Sequence, residues 1–296
     1  MKILDVSEYQ GTIDWKKVKA AGVQGVIIRA GWGKGNQDPK FAQNAQGAIA
    51  EGLNVGIYWF SYAYTVQMAR QEAIYCHAVI APYKEAINLP VFFDWEYDSM
   101  RWAEKNGVKP GKGLITAMIA EFCAKATEIG WKAGYYLNQD YSKNYVNEAN
   151  LRAYRRWFAK YTTTEQKDCY LWQYTSKGTI EGVKGSVDVN RLWDLSDVHE
   201  VAPVQQDEAA EGSQGSQGSQ GSDAAAGMEE EYDMRTIKKG SRGKAVKVWQ
   251  VIVGETVDGI FGAKTHEATL DFQRRKGLVQ DGIVGKLTWK AGLESV

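Results

Sequence analysis

The sequence has no run of 18 or more apolar residues, so it contains no candidate membrane-spanning helix. Cysteine is scarce, and Cys76, Cys123 and Cys169 are far apart and show no metal-ligand spacing. We therefore expect three small buried side chains rather than a disulfide framework or a zinc site. The first residues, "MKILDVSEYQ", lack an apolar signal-peptide core, which predicts synthesis in the cytoplasm without standard secretion.

Motifs of several enzyme classes are also missing. The three histidines, His77, His199 and His266, form no H-E-x-x-H or other metal spacing, which disfavours zinc hydrolysis. No G-x-S-x-G elbow is present, and no cysteine stands in a papain-like setting. The glycines of "GWGKG" (31–35) follow a predicted strand, but no phosphate-binding Lys-Ser/Thr pair comes after them, so they predict a loop.

Charge is balanced overall but unevenly distributed. Residues 1–200 contain 24 basic and 22 acidic residues. Residues 201–233 contain no basic and eight acidic residues, and residues 234–296 contain twelve basic and six acidic residues. The acidic segment carries a GSQ repeat and few large apolar residues, so we expect a flexible linker of roughly 30 Å between a large domain and a small one. The basic C-terminal segment favours an anionic surface such as a cell wall over nucleic acid, because no nucleic-acid motif accompanies the charge.

Strand-like and helix-like patterns alternate through the first 150 residues. Five apolar runs are each followed by a helical segment, and three further strands then follow in quick succession. Alternating βα units predict a parallel sheet, and eight strands within about 200 residues indicate a closed barrel. The fold class is therefore α/β. In such barrels the catalytic groups lie at the carboxyl ends of the strands.

Acidic residues occur at the predicted mouths of three strands. Asp5 lies in "ILDVS", Asp94 and Glu96 in "FFDWEY", and Asp188 in "VDVN". Asp94 and Glu96 share one face of a strand, with Cα atoms roughly 6.5–7 Å apart, and two carboxyl groups in a cleft can keep one proton near neutral pH. Glycoside hydrolysis requires this combination of an acid and an anion. We expect Glu96 to be the acid, because its side chain is longer, and Asp94 to be ionised.

Aromatic side chains surround these acids along the sequence. Their rings suit the apolar faces of sugars, and they equally suit core filling; for Tyr58 and Tyr174 both interpretations stay open. The group is Tyr58, Tyr62, Tyr64, Trp95, Tyr136, Trp172 and Tyr174.

The C-terminal segment contains an internal repeat. Residues 248–265 and 271–288 align at a period of 23, with identical Gln, Gly, Asp-Gly-Ile, Gly and Thr positions. Each half predicts a helix that ends in glycine, then an Asp-Gly turn and a new helix, with Thr265 and Thr288 as N-caps. We expect a small helical domain over residues 234–296 that binds rather than catalyses.

Residues 1–195 resemble the glycoside hydrolase family 25 lysozymes, the muramidases common among bacteriophage endolysins. The motifs that carry the resemblance are "LDVSEYQG", "GVIIRAGWG", "VGIYWFSYA", "FFDWEYDS", "YYLNQDY", "LWQYTS" and "VDVN". It implies a flattened TIM-like barrel of five βα units followed by three strands. It also implies hydrolysis of the β-1,4 bond from N-acetylmuramic acid to N-acetylglucosamine, without a metal or cofactor and with retention of configuration.

The resemblance assigns roles residue by residue. The family acid falls on Glu96, its partner carboxylate on Asp94, and the acids of the first and last strands on Asp5 and Asp188. Substrate contacts are expected from Arg29 and Tyr136 and, among the aromatics above, from Tyr58, Tyr62 and Trp172. Residues 236–293 resemble the peptidoglycan-binding module of many wall hydrolases, although the stretch between Gln250 and Asp258 is shorter than usual.

The expected partner is bacterial peptidoglycan, with anionic wall polymers as further candidates, reached after release from the cytoplasm. We expect no nucleic acid and no membrane insertion; the sequence does not indicate the oligomeric state, and a monomer is the default. A chitinase-type or glucosaminidase barrel remains an alternative, because "DWEY" also occurs in chitinases. The chitinase signature requires acids where Phe92 and Leu89 stand here. A non-catalytic wall-binding protein is the second alternative.

Overall fold

The computed structural model describes residues 1–193 and 235–293, and the first part forms the predicted closed barrel. The strands run in the order β1-β9-β8-β7-β6-β5-β4-β2, and pairing of β1 with β2 closes the ring, while the short β3 extends from β2. The strands are β1 (Lys2–Val6), β2 (Gly25–Trp32), β3 (Asn36–Gln37), β4 (Asn54–Phe60), β5 (Ile87–Asp94), β6 (Ala133–Asn138), β7 (Arg155–Ala159), β8 (Leu171–Gly178) and β9 (Val187–Leu192).

Helices connect the early strands, and the last strands follow one another through loops. Strands β1, β2 and β4 to β8 are parallel to their barrel neighbours, whereas β9 runs antiparallel to both β1 and β8. The helices of this part are α1 (Trp15–Ala20), α2 (Phe41–Ala50), α3 (Val66–Ile80), α4 (Tyr97–Lys105) and α5 (Lys112–Glu128).

Two local elements differ from the sequence prediction. Helix α4 was not expected, because it is short and mostly polar and buries only Ser99 and Ala103. The last of the five helical segments expected from the sequence, residues 142–154, instead forms a π-helical turn at Tyr141–Tyr145 and a 3₁₀ turn at Glu148–Leu151.

The alternation of side chains along β5 explains why an apolar strand ends in a carboxylate. Phe92 packs inside the barrel, in one cluster with Ile3, Ile27 and Trp157. Val91 and Phe93 belong to the other cluster, which lies between the sheet and the helices. Asp94 is two residues beyond Phe92 and therefore shares its inward face, at the open end of the barrel.

Residues 235–293 contain helices α6 (Lys244–Val253), α7 (Ala263–Arg275) and α8 (Lys286–Leu293) around a core that includes Trp249. Gly254 ends α6 in the left-handed region, with φ +74°, as the sequence predicts. The predicted N-caps are wrong. Helix α7 begins at Ala263, and Thr265 and Thr288 lie inside α7 and α8 as buried side chains.

The repeated residues of this module form two equivalent hydrogen-bond networks. The Gln250 amide donates to Asp258 Oδ1 (2.7 Å), and its carbonyl accepts the Gly259 N–H (2.8 Å). Gln273 repeats both bonds with Asp281 (2.8 Å) and Gly282 (2.9 Å). Both glutamines are buried, and their side chains hydrogen-bond to the Asp-Gly turn of the same repeat. The identical spacing of Gln and Asp-Gly in the two repeats therefore preserves these hydrogen bonds.

Helix α3 is buried on two faces. Ala73 and Cys76 pack toward the barrel, while Ile74 and Ala78 share a core with Trp249 of α6. Only 1% of Ile74 and 3% of Ala78 is exposed, so the module covers the outer face of this helix.

The three cysteines are free and buried, as expected. Within the described ranges, none of the helices is long and apolar enough to cross a membrane. The predicted linker, residues 201–233, lies outside the described residues.

Candidate active site

The four predicted acids meet at one end of the barrel. Asp94 is the last residue of β5, and Glu96 follows it at the start of α4. Asp5 lies near the end of β1, directly opposite Asp188 in the pairing of β1 with β9. Asp188 stands at the beginning of its strand, not at the carboxyl end. Because β9 runs antiparallel, its beginning meets the carboxyl ends of the other strands.

Asp5 and Asp188 form a hydrogen-bonded carboxyl pair. Asp5 is buried, and this burial, together with repulsion from Asp188, raises its pKa well above the usual range. The amides of Asn190 (2.7 Å) and Gln173 (3.1 Å) both donate to Asp5 Oδ2 and oppose that rise. Asp188 is half-buried, and burial raises its pKa as well. Burial and mutual repulsion therefore favour a proton on this pair at a higher pH than on an isolated carboxyl group.

Asp94 and Glu96 form the second hydrogen-bonded pair. Burial raises the pKa of Glu96 to about 7, and repulsion from Asp188 adds to this. We expected Asp94 to be ionised, but its burial and the repulsion from Glu96 raise its pKa well above the usual range. Asp94 and Glu96 therefore titrate as a coupled pair, and the assignment of an ionised Asp94 beside a protonated Glu96 stays a prediction.

Sequence reasoning missed the polar residues that hold Asp5. Gln173 accepts hydrogen bonds from the hydroxyls of Tyr136 (3.1 Å) and Tyr161 (3.0 Å) while it donates to Asp5. Asn190 accepts the Trp157 indole N–H at 2.8 Å. Strand alternation could have identified Asn190, because it lies two residues after Asp188 and so shares its face.

Arg29 lies beside the carboxyl pairs, in the floor of a groove. Its guanidinium binds Asp38 and Glu8, each at 2.8 Å, and lies between the rings of Tyr9 (5.0 Å) and Trp32 (4.9 Å). Only 8% of Arg29 is exposed, so its first role here is to hold these groups together.

The groove above Arg29 has a volume of about 290 Å³ and is lined by Tyr9, Trp32 and Tyr62 among others. The sequence analysis did not identify Tyr9 as a substrate contact. In the structure 80% of this side chain is exposed, which is unusual for an aromatic residue. An exposed ring at the edge of a groove suits the apolar face of a sugar, so Tyr9 joins the candidate substrate contacts.

The predicted aromatics divide into two groups. Tyr58 and Tyr136 lie among the acids: burial raises the pKa of both, and the charges of Asp5 and Asp94 add to that rise. Trp172 requires a correction. It points away from the carboxyl pairs, packs beside Trp193 and donates its indole N–H to the Lys160 carbonyl at 2.9 Å.

The reason for the error is strand alternation in β8. Gln173 points inward to Asp5, so its neighbour Trp172 faces outward, in a small cluster with Phe158 and Cys169. In the part of the chain that the structure describes, no group of three or more His, Cys, Asp or Glu side chains is arranged to hold a metal ion.

Two family models match the chain. Glycosyl hydrolases family 25 covers residues 4–183, and a peptidoglycan binding domain covers residues 246–291. Lysozyme M1 of Streptomyces globisporus is 25% identical over 195 residues, which are 64% of this chain and 66% of that protein. The autolytic lysozyme of Clostridium acetobutylicum is 24% identical over 199 residues, 65% of this chain and 56% of that protein. The chain therefore spans about two thirds of the first relative and just over half of the second.

Solved structures show the same similarity. The modular autolysin LytC from Streptococcus pneumoniae superposes with a TM-score of 0.56 at 28% identity, over 64% of this chain and 46% of that one. The catalytic domain of endolysin ply40 from bacteriophage P40 of Listeria monocytogenes has a TM-score of 0.55 at 25% identity, over 65% of this chain and 93% of that domain. Since the first family model matches more than half of the chain, the protein belongs to glycosyl hydrolases family 25.

Proposed function

We propose that the protein is a peptidoglycan hydrolase that cleaves the β-1,4 bond between N-acetylmuramic acid and N-acetylglucosamine. The proposal rests on the four carboxyl groups that form two hydrogen-bonded pairs at one end of the barrel. Within this group, burial raises the pKa of Glu96 to about 7. Glycoside hydrolysis requires a carboxyl group that keeps its proton at working pH and a negative charge close to it.

Glu96 is the proposed general acid. It is half-buried, whereas only 5% of Asp94 is exposed, so the Glu96 carboxyl is the more accessible of the two to a substrate. Glu96 would give its proton to the leaving glycosidic oxygen. Negative charge on Asp5 and Asp188 would stabilise the positive charge that develops at the sugar carbon. Asp94 would hold the Glu96 carboxyl group in place through the hydrogen bond between them.

Retention of configuration at the sugar carbon is part of the proposal. The attacking group is either one of the site carboxylates or the acetamido oxygen of the substrate itself. Both routes use the same acid, which then acts as the base that activates water.

Substrate binding is assigned to the groove beside the acids. The exposed ring of Tyr9 and the half-buried ring of Tyr62 offer stacking surfaces, and Tyr58 and Tyr136 offer hydroxyl groups close to the reacting bond. Arg29 supports the groove and keeps Tyr9 and Trp32 in place through its planar guanidinium.

The C-terminal module is proposed to hold the enzyme on the wall. This rests on its match to a peptidoglycan binding domain and on its basic character over residues 234–296. Two relatives carry lysozyme in their names, and the LytC autolysin has been solved with a synthetic peptidoglycan ligand, which favours the same substrate class for this chain.

Digestion of purified cell walls tests the proposal. We expect the full chain to clear a wall suspension and to release new muramic acid reducing ends. Glu96→Gln should reduce the rate to below a few percent, while Glu104→Gln, an exposed acid on α4, should match the wild type. New glucosamine ends would instead indicate a glucosaminidase, and a folded chain that binds walls without clearing them would indicate a non-catalytic binding protein.

A further inference from the structure

The short loop between β4 and α3, residues 61–64, supports the backbone that carries Asp94 and Glu96. The Ser61 N–H donates to the Asp94 carbonyl at 2.7 Å. The indole N–H of Trp95 donates to the Ala63 carbonyl at 2.8 Å. The position of the acid segment 94–96 therefore depends on where this loop lies.

Ser99 connects the same loop to Glu96. Its side chain is fully buried, and its hydroxyl donates to the Ser61 carbonyl at 2.6 Å. The same oxygen accepts the backbone N–H of Glu96 at 3.0 Å. One hydroxyl thus fixes the residue that we propose as the general acid against the loop, in a site without access to water.

Glu72 holds the loop from the opposite side. It lies on α3, only 3% of it is exposed, and its Oε1 accepts the Tyr62 N–H at 3.0 Å. The Ser61 hydroxyl hydrogen-bonds to the same carboxyl group and accepts the Ala63 N–H at 3.0 Å. Without an acceptor at Glu72 the Tyr62 N–H would be buried and unsatisfied, and the loop would have to shift.

The environment of Glu72 fits a neutral acceptor rather than an ion-pair partner. Burial raises the pKa of Glu72 to about 8, so the group is mainly protonated at neutral pH. Among residues 1–193 and 235–293, its second oxygen, Oε2, has no hydrogen-bond partner. A glutamine, which also offers Oε1, would still accept the Tyr62 N–H and the Ser61 hydroxyl, whereas leucine would not.

We propose that Glu72 and Ser99 are positioning residues, which act through loop 61–64 to set the backbone of Asp94 and Glu96 against the bond to be cleaved. The inference rests on the proposed function, since it concerns the rate of that reaction. Displacement of reacting groups by about 1 Å can lower a rate by about 100-fold without loss of binding.

Four variants in the full chain test this proposal, with kcat and KM measured on soluble oligomers prepared from digested walls. Glu72→Leu and Ser99→Ala should each lower kcat by about 10- to 100-fold at nearly unchanged KM. Glu72→Gln should stay within about threefold of the wild type. Gln71→Leu, an adjacent buried change on α3 outside these hydrogen bonds, should keep the wild-type kcat.

The outcomes separate the two proposals. An active wild type together with an inactive Glu96→Gln supports the reaction, and the four variants are then read on that background. Folded Glu72→Leu and Ser99→Ala with wild-type kcat would overturn the positioning role, as would a loss in Glu72→Gln equal to that in Glu72→Leu. If Glu72→Leu does not fold, Ser99→Ala, which removes one oxygen atom, decides the matter.

Discussion

Asp188 lies directly opposite Asp5 across the antiparallel pairing of β1 and β9. An eighth parallel strand would bring its carboxyl end to the cleft; here the reversed β9 brings its beginning, and Asp188 with it. The reversal also places Asn190 further down the same inward face, where it donates to Asp5 from below. Strand β9 therefore supplies both Asp188, which faces the cleft, and the amide of Asn190, which hydrogen-bonds to Asp5.

Asn190→Leu should lower activity strongly. The amide of Asn190 donates to the buried Asp5 carboxylate, and a hydrogen bond to a charged group contributes roughly 1.5–3 kcal/mol. Its loss should raise the pKa of Asp5 further and reduce the wall-clearing rate by about 10- to 100-fold. Arg191→Ala, an exposed change at the next position, is the control. Equal rates for the two variants would contradict a role for the amide.

The pH dependence of kcat/KM should follow Glu96. A raised pKa means that the protonated form persists to neutral pH, so activity should be present below pH 7 and should decline above it, about tenfold per pH unit. Soluble wall fragments, assayed between pH 5 and 9, give the profile. Glu104→Gln should reproduce it. A rate that stays constant up to pH 9 would exclude Glu96 as the group that must carry the proton.

The candidate acids could be predicted because each of them lies at or near one end of a strand that the local sequence pattern indicates. Asp94 and Glu96 could be identified because two carboxylates, two residues apart at the end of an apolar strand, were expected to share one face. Asp5 and Asp188 were identified because they lie at the predicted mouths of two other strands, and the resemblance to lysozymes supported all four assignments. The barrel itself followed from the alternation of strand and helix patterns.

Other parts depended on information that one strand does not contain. Residue type alone suggested Trp172 as a sugar contact, but the register of β8 turns Gln173 inward and Trp172 outward. Tyr9 lies in a 3₁₀ turn, Glu8–Gln10, whose position over Arg29 depends on a hydrogen bond from the Glu8 N–H to Asp38, 30 residues away. Such long-range contacts have no signature in local sequence.

The stability of the protein should depend on pH through Glu72. Because burial raises its pKa from 4.5 to about 8, the folded state binds this proton more tightly than the unfolded state. Its contribution is therefore complete below pH 4.5 and is lost as the pH rises toward 8, by up to about 1.4 kcal/mol per pH unit. In Glu72→Gln this loss should disappear.

Chemical denaturation at several pH values measures this effect. The free energy of unfolding of Glu72→Gln, relative to the wild type, should increase between pH 5 and 8. Glu85→Gln, a change at an exposed acid, should show a constant difference. A constant difference for Glu72→Gln as well would mean that Glu72 titrates normally in the folded state.

Tyr9→Ala should weaken substrate binding and leave the chemical step unchanged. The ring is 80% exposed and lies over the Arg29 guanidinium at 5.0 Å, so it can stack against a sugar without being part of the core. We expect KM to rise by about tenfold at constant kcat, with stability unchanged within about 0.5 kcal/mol. Tyr9→Phe retains the ring and should retain the wild-type KM. A fall in kcat alone would argue for a role in catalysis instead.

Ile74→Asp should separate the C-terminal module from the barrel. Ile74 is 1% exposed and shares a core with Trp249, so a buried carboxylate there would be strongly unfavourable. Release through the predicted linker should increase the radius of gyration measured by small-angle X-ray scattering. Gln67→Asp, an exposed change on the same helix, should leave the radius of gyration unaltered.

Val248→Asp changes the same interface on the side of the C-terminal module. It should increase the radius of gyration as Ile74→Asp does, if the barrel stays folded. Unchanged scattering in both interface variants would show that the covered face of α3 does not hold the module in solution.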